Sequence, residues 1–182
     1  MQRVAYLSIG SNEGDRLDYI SKTIKLINKK IGQIITVSSI YENPPLGFDA
    51  EINFYNLCLS IHTILNPLDL LNQLKGIENE IGRRTKSKNG VYSSRCIDID
   101  ILFYEDEIID TIDLSIPHKQ IQNRRFVLEP MSEISSEFID PKTGCSISIL
   151  LKRCEDKSQL AKLTIYPDFK WKDKFIYFYC VL

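Results

Sequence analysis

The chain of 182 residues carries 24 acidic residues against 23 Lys and Arg, and a net charge of −1 leaves no whole-molecule field to hold nucleic acid or an acidic membrane. That length suits one domain with a sizeable core, with or without an appendage. The five cysteines, Cys58, Cys96, Cys145, Cys154 and Cys180, are odd in number and form no CxxC pair, which argues against a disulfide framework and a zinc knuckle.

Residues 4–9 form a short apolar run that reads as a strand, with no charged-then-apolar leader before it, and Gly10-Ser11-Asn12 follows as a polar turn. No apolar run approaches the ~20 residues of a membrane span, so the expectation is a soluble, cytoplasmic protein. Leu17, Ile20, Ile24, Ile27 and Ile31 then recur at helical spacing, with Asp15 as N-cap and Gly32 as the stop. Neither GxxxxGK[ST] nor GxGxxG occurs, so the polar turn is not a phosphate loop of those kinds.

Residues 34–42 are β-rich, and Asn43-Pro44-Pro45-Leu46-Gly47 ends them in a rigid loop, because proline cannot donate to a ladder. Residues 53–63 alternate: Phe54, Asn56, Cys58, Ser60 and His62 share one face, and Tyr55, Leu57, Leu59 and Ile61 the other. Asn56 offers donors and an acceptor suited to the edge of a heterocycle. Asn66-Pro67 starts a second helix whose buried stripe is expected from Leu68, Leu71, Leu74, Ile77 and Ile81, with Glu78 outside it and Gly82 at its end.

The helix leads into residues 83–95, which hold Arg83, Arg84, Lys86, Lys88 and Arg95 and no acidic residue. Residues 95–103 alternate as a strand, with Ile97, Ile99 and Ile101 on one face and Cys96, Asp98, Asp100 and Leu102 on the other. Same-face strand neighbours sit roughly 7 Å apart, and two carboxylates so close call for positive charge beside them. A hard divalent cation with oxygen ligands supplies it economically, and arginine forks beside a metal suit a polyphosphate.

Beyond this strand, residues 107–109 read as a short return strand, and Ile116-Pro117-His118 opens a polar segment that runs to Asn123-Arg124-Arg125-Phe126. Residues 126–134 have helical character broken at Pro130, and residues 147–153 form a last helix after Gly144. The tail, residues 163–182, interleaves aromatic residues with lysines and reads better as an edge strand pair than as a partner site. Strand, helix, strand, strand, helix, strand gives a ferredoxin-like α+β fold: a βαββαβ core with an antiparallel sheet and additional helices, then a C-terminal aromatic extension.

In this order, Gly10-Ser11-Asn12, Pro44-Pro45-Leu46-Gly47, Tyr55-Asn56, Glu78 with Gly82-Arg83, Arg95 with Asp98-Ile99-Asp100-Ile101, Ile116-Pro117-His118 and Asn123-Arg124-Arg125-Phe126 resemble the 6-hydroxymethyl-7,8-dihydropterin pyrophosphokinase family of folate biosynthesis. The resemblance spans residues 4 to about 155. It implies that ATP gives its β,γ-pyrophosphoryl group to the pterin hydroxymethyl oxygen and that AMP leaves. It further implies two Mg2+ ions on Asp98 and Asp100, with Arg83 and Arg95 clamping the triphosphate and completing the catalytic set with the two aspartates. Asn43, Pro45, Leu46, Phe54, Asn56, Tyr92 and Phe126 would bind the pterin. Leu71, Lys75, Glu78, Ile101, Ser115, His118 and Arg124 would join Arg83 and Arg95 around ATP.

Three departures from the family pattern stand out: Tyr92 where tryptophan is common, Asp113 where some members carry arginine, and Asn43 where threonine is familiar. The expected organisation is a pyrophosphokinase domain over residues 1–163 and an extension over residues 164–182. The expected partners are small molecules, with no nucleic acid and no membrane, for a monomeric chain. The rivals are a single-strand-binding module, disfavoured by carboxylates on the sheet face, a catalytically idle nucleotide or metal binder, and a kinase that moves only the γ-phosphoryl group.

Overall fold

The structure, a computed structural model, describes residues 1–47, 50–83 and 94–168. Its main sheet is antiparallel. Strand β1 (Arg3–Ser11) runs beside β4 (Phe54–Thr63) on one edge and β5 (Asp98–Tyr104) on the other. β2 (Gly32–Val37) and β3 (Tyr41–Asn43) share the far edge of β4, and β8 (Ala161–Lys162) adds to β3. The gap between β2 and β3 is bridged by Ser38, whose N–H donates to the Cys58 carbonyl at 2.9 Å.

Two helices cover one face. α1 (Arg16–Lys30) starts at Asp15, whose carboxylate accepts the Asp18 N–H at 3.0 Å as a capping residue should. Gly32 does not end it; Ile31 is the C-cap and Gly32 already belongs to β2. A Cβ there would lie 2.0 Å from the His62 carbonyl oxygen, so the glycine permits the strand to approach β4.

α2 (Pro67–Ile81) begins at the expected Asn66-Pro67 pair and ends on Gly82 at φ 114°. Its buried stripe is Leu70, Leu74, Ile77 and Glu78, with Leu71 and Ile81 half-buried, whereas Leu68 in the first turn is 52% exposed. The expected stripe was therefore displaced: the true one is centred between two helical rows and draws in a carboxylate.

The opposite face is covered only in part, by α3 (Arg125–Ser135) and α4 (Ile147–Arg153). α3 runs through Pro130 without breaking. The proline is the sixth of eleven helical residues; its fixed φ suits the helix, and burial of its ring offsets the one bond it forfeits. Val127, Leu128, Met131, Ile147 and Leu150 from these helices pack on Cys58, Leu102 and Phe103.

The register of β5 slips against β1 between Tyr6 and Leu7, leaving Leu102 without a partner. This bulge sends Leu102 and Phe103 to the same core and returns Tyr104 to the other, so alternation holds from Asp98 to Leu102 and then stops. Cys96 departs from expectation too; it precedes β5 and is buried in the core under α1 and α2. The return strand is β6 (Ile109–Asp110), which pairs with β7 (Ser115–Ile116) in a hairpin separate from the main sheet. β8 lies just before the tail; within the tail the described residues 163–168 form no strand, and residues 169–182 lie outside the described residues.

Candidate active site

Where α3 and α4 leave the second face uncovered, a cleft of about 330 Å3 opens over the ends of β1, β4 and β5. Period-two alternation delivers its floor: Ser8 and Gly10 from β1, Asn56 from β4, Asp98 and Asp100 from β5, all on one side of the sheet. Gly10 lies opposite Asp98, and Ser8 opposite Asp100. These small neighbours leave space above the carboxylates.

The two aspartates answer their mutual repulsion with arginine. Arg83 Nη1 donates to Asp98 Oδ1 at 2.5 Å, and Arg95 Nη1 donates to Asp98 Oδ2 at 2.7 Å. Arg124 Nη1 stands 3.6 Å from Asp100 Oδ2, and His118 Nε2 stands 3.9 Å from the same oxygen. Burial and the charge of Asp98 push the Asp100 carboxyl up to about 7, against the pull of Arg124. Its side chain is nevertheless 36% exposed, so it meets solvent by way of the cleft.

Glu78 is 9% exposed, which places it inside the core rather than beside it. Its Oε1 accepts the Ile99 N–H at 2.9 Å and a hydrogen bond from Arg83 Nη1. Burial raises its pKa, the Arg83 charge opposes the rise, and Asp98 adds to it. Glu78 thus braces Arg83 against Asp98 from below and is not part of the cleft lining.

His118 arrives through its main chain, donating its N–H to the Leu102 carbonyl at 3.0 Å beside the bulge. Its Nδ1 accepts the Gln120 N–H at 3.2 Å, which turns Nε2 toward Asp100. Burial and the Arg124 charge lower its pKa to about 4, so the ring is neutral at physiological pH.

Across the cleft, Asn43, Leu46, Phe54, Asn56 and Phe126 form a slot of apolar walls with amide anchors. Asn56 Nδ2 donates to Asn43 Oδ1 at 2.6 Å, and Asn43 Nδ2 donates to the Pro44 carbonyl at 2.8 Å. Asn43, the departure from threonine, therefore orients Asn56 directly. A Cβ at Gly10 would come within 2.7 Å of Asn56 Oδ1, so glycine there makes room for the amide. The Arg95 guanidinium lies 5.9 Å from the Phe54 ring centre, and that of Arg124 lies 5.8 Å from Phe126.

Of the other expected residues, Leu71 and Lys75 share one row of α2 with Glu78, on the helix that packs beside β5. Ile101 turns its side chain into the first core, leaving only its main chain for a ligand. Ser115 opens β7 of the small hairpin and donates its hydroxyl to the Pro117 carbonyl at 3.5 Å. Pro45 is half-buried in the loop after β3, and Asp113 is exposed. Tyr92 lies outside the described residues, as do Arg84, Lys86 and Lys88.

Sequence reasoning passed over Ser8, Gln120 and Asn12. Ser8 had a signal, a polar residue between Leu7 and Ile9 in an otherwise apolar strand. Asn12 read as turn punctuation, yet it is 1% exposed and bonds to Ser94 and Arg95.

Among the described residues no three His, Cys, Asp or Glu side chains gather around one point. Two carboxylates opening into a polar cleft are the donor set expected for a cation that keeps several waters and takes phosphate oxygens, which is how Mg2+ behaves.

A family model for 7,8-dihydro-6-hydroxymethylpterin-pyrophosphokinase matches residues 6–136. The 2-amino-4-hydroxy-6-hydroxymethyldihydropteridine pyrophosphokinase of Bacillus subtilis is 39% identical over 138 residues, 75% of this chain and 81% of that protein. The protein of the same name from Porphyromonas gingivalis is 38% identical over 133 residues, covering 72% and 90%. The folic acid synthesis protein fol1 of Pneumocystis carinii is 38% identical over 151 residues, but the chain spans 20% of its length. Among solved structures, wild-type HPPK-DHPS of Plasmodium falciparum superposes with a TM-score of 0.68 at 18% identity, covering 84% of this chain and 45% of that one, a likeness of fold alone. The cleft, its paired aspartates and these matches agree, and the chain belongs to the 7,8-dihydro-6-hydroxymethylpterin-pyrophosphokinase family.

Proposed function

We propose that the chain transfers the β,γ-pyrophosphoryl group of ATP to the hydroxymethyl oxygen of 6-hydroxymethyl-7,8-dihydropterin, releasing AMP and the pterin diphosphate. The observation that carries this reading is the pairing, in one cleft, of Asp98 and Asp100 flanked by Arg83, Arg95 and Arg124 with an amide-anchored aromatic slot. The first set suits a triphosphate, and the second suits a flat, hydrogen-bonding heterocycle.

Asp98 and Asp100 would hold two Mg2+ ions, which when bound neutralise phosphate charge and align an in-line displacement. The chain's own residues do the rest. With a nucleotide in place, Arg83 and Arg95 exchange Asp98 oxygens for phosphate oxygens and steady charge as it develops on the transferring group. Glu78 keeps Arg83 aimed at this region. Asn56, oriented by Asn43, reads the pterin edge; Phe54 and Phe126 enclose its faces, beside Pro45 and Leu46. His118, neutral with its proton on Nε2, can donate one hydrogen bond to the nucleotide, with Arg124 beside it, and Leu71, Lys75, Ile101 and Ser115 would complete the ATP contacts.

The strand order, with β2 and β3 acting as one interrupted strand, supports a ferredoxin-like core, and residues 1–163 form the catalytic domain in this reading. In this reading the chain acts as a monomer. Cys58, Cys96, Cys145 and Cys154 are free thiols, as in a reducing cytoplasm, and no helix among the described residues is long and apolar enough to cross a membrane.

Incubating the protein with ATP, magnesium and the reduced pterin, and separating the nucleotides, tests the assignment. AMP in step with pterin diphosphate is expected; ADP as the only nucleotide product would replace pyrophosphoryl transfer by ordinary kinase chemistry.

A further inference from the structure

Asn12 ends the Gly10-Ser11-Asn12 stretch at the tip of β1, and the helix that follows is capped by Asp15, so its side chain is not needed there. It turns instead toward the segment that carries Arg95. The Arg95 N–H donates to Asn12 Oδ1 at 2.8 Å, Asn12 Nδ2 donates to Ser94 Oγ at 3.1 Å, and the Asn12 N–H donates to the Arg95 carbonyl at 3.1 Å. Both main-chain polar groups of Arg95 are therefore held on one buried residue.

Two residues earlier in the same strand, Gly10 lies opposite Asp98. One short piece of β1 thus sets the position of the Asp98 carboxylate and, through Asn12, of the guanidinium that meets it at 2.7 Å. A side chain that stabilises charge on a moving group must be placed to within a fraction of an ångström, and its placement is inherited from its Cα.

We propose that Asn12 is the positioning residue for Arg95 in pyrophosphoryl transfer, acting through the Arg95 main chain and touching no substrate. The inference rests on the reading given under Proposed function and deepens it.

A double-mutant cycle tests it. Asn12→Ala should lower kcat about 10²-fold with the pterin KM within about twofold. The double variant Asn12→Ala/Arg95→Ala should be no slower than Arg95→Ala alone, because the two act through one group. Ser94→Ala removes a single bond of the three and should cost less than about threefold in kcat, by the same reasoning.

On the nucleotide-free protein, hydrogen exchange at the Arg95 amide should quicken at least about tenfold in Asn12→Ala while strand amides near Leu7 keep their protection. Asn12→Ser carries the same cycle if the Ala variant melts below the assay temperature. Losses that multiply in the double variant, or an Arg95 amide equally protected without Asn12, would overturn the proposal. ATP left intact by the unaltered protein would overturn the parent reading, and the exchange measurement would still decide whether Asn12 holds Arg95.

Discussion

On the α1 and α2 side of the sheet, Leu7, Ile9, Leu57, Leu59 and Ile99 are at most 6% exposed and meet Ile20, Ile24, Ile27, Leu70 and Leu74. On the other side the same strands present Ser8, Gly10, Asn56, Asp98 and Asp100 to a cleft ringed by arginine. Neighbouring residues on one strand, Ile99 and Asp100, therefore live in unlike surroundings a few ångströms apart. The dry face supplies a rigid backing, and the wet face spends that rigidity on holding like charges together. Such a division of labour needs a sheet covered completely on one side and incompletely on the other.

If the division is real, substitutions on the two faces should fail in different ways. The largest effect is expected at the carboxylates: Asp98→Ala and Asp100→Ala should each lower magnesium-dependent AMP release by about 10³-fold or more while melting normally, since such charge-stabilising groups contribute on that scale. Near-normal turnover in either would remove the metal assignment. Arg95→Ala should depress kcat by about 10²–10³-fold with pterin affinity intact, seen by fluorescence titration of the pterin. Loss of pterin binding with turnover intact would refute its role.

Across the sheet, Leu59→Ala should cost about 2–5 kcal/mol in a urea melt, with the folded fraction retaining its kcat. A variant at this dry position that melted normally but lost turnover would blur the two faces. A smaller effect follows at the anchor of the slot. Asn56→Ala should raise the pterin KM with less change in the ATP KM, the lost hydrogen bonds being worth about 1–3 kcal/mol. Equal weakening of both substrates would point to distortion of β4 instead.

The smallest effect separates the faces by pH. The Asp100 carboxyl rises from 3.8 to about 7 in the folded protein, so between those values the native state binds the proton more tightly than the unfolded chain. Its contribution to stability is present at low pH and is lost as pH rises through about 7. His118 moves the other way, from 6.5 to about 4, so its contribution grows as pH rises across that window and is complete above 6.5. Above about pH 6.5 the His118 contribution no longer changes, and Asp100→Asn should flatten the fall in melting temperature between about pH 6.5 and 8 without magnesium. An unaltered slope in that variant would assign the fall to other groups.

Much of the site was legible because β alternation is short-range: whichever way the sheet is assembled, Asp98 and Asp100 share a side, and so do Phe54 and Asn56. The cap at Asp15 and the start at Asn66-Pro67 were legible for the same reason, being made by residues three apart in the chain. Less was readable where long-range partners decide. Glu78 reads as a surface residue, and only the approach of Arg83 and the Ile99 N–H makes its burial tolerable. The halt of alternation at Leu102 depends on a register slip that no local pattern marks. Asn12 meets Ser94 and Arg95 across more than 80 residues of chain.

By itself, then, the amino-acid sequence determined the long strands and the two long helices, the shared face of the two aspartates and the order of the motifs, because each depends on periodicity or on contacts within a turn. The tertiary structure decided which arginine meets which carboxylate, that Asn43 steers Asn56, and that one face of the sheet stays open. Those outcomes follow from how far α3 and α4 reach across the sheet and from which side chains can satisfy buried charge once the strands are brought together.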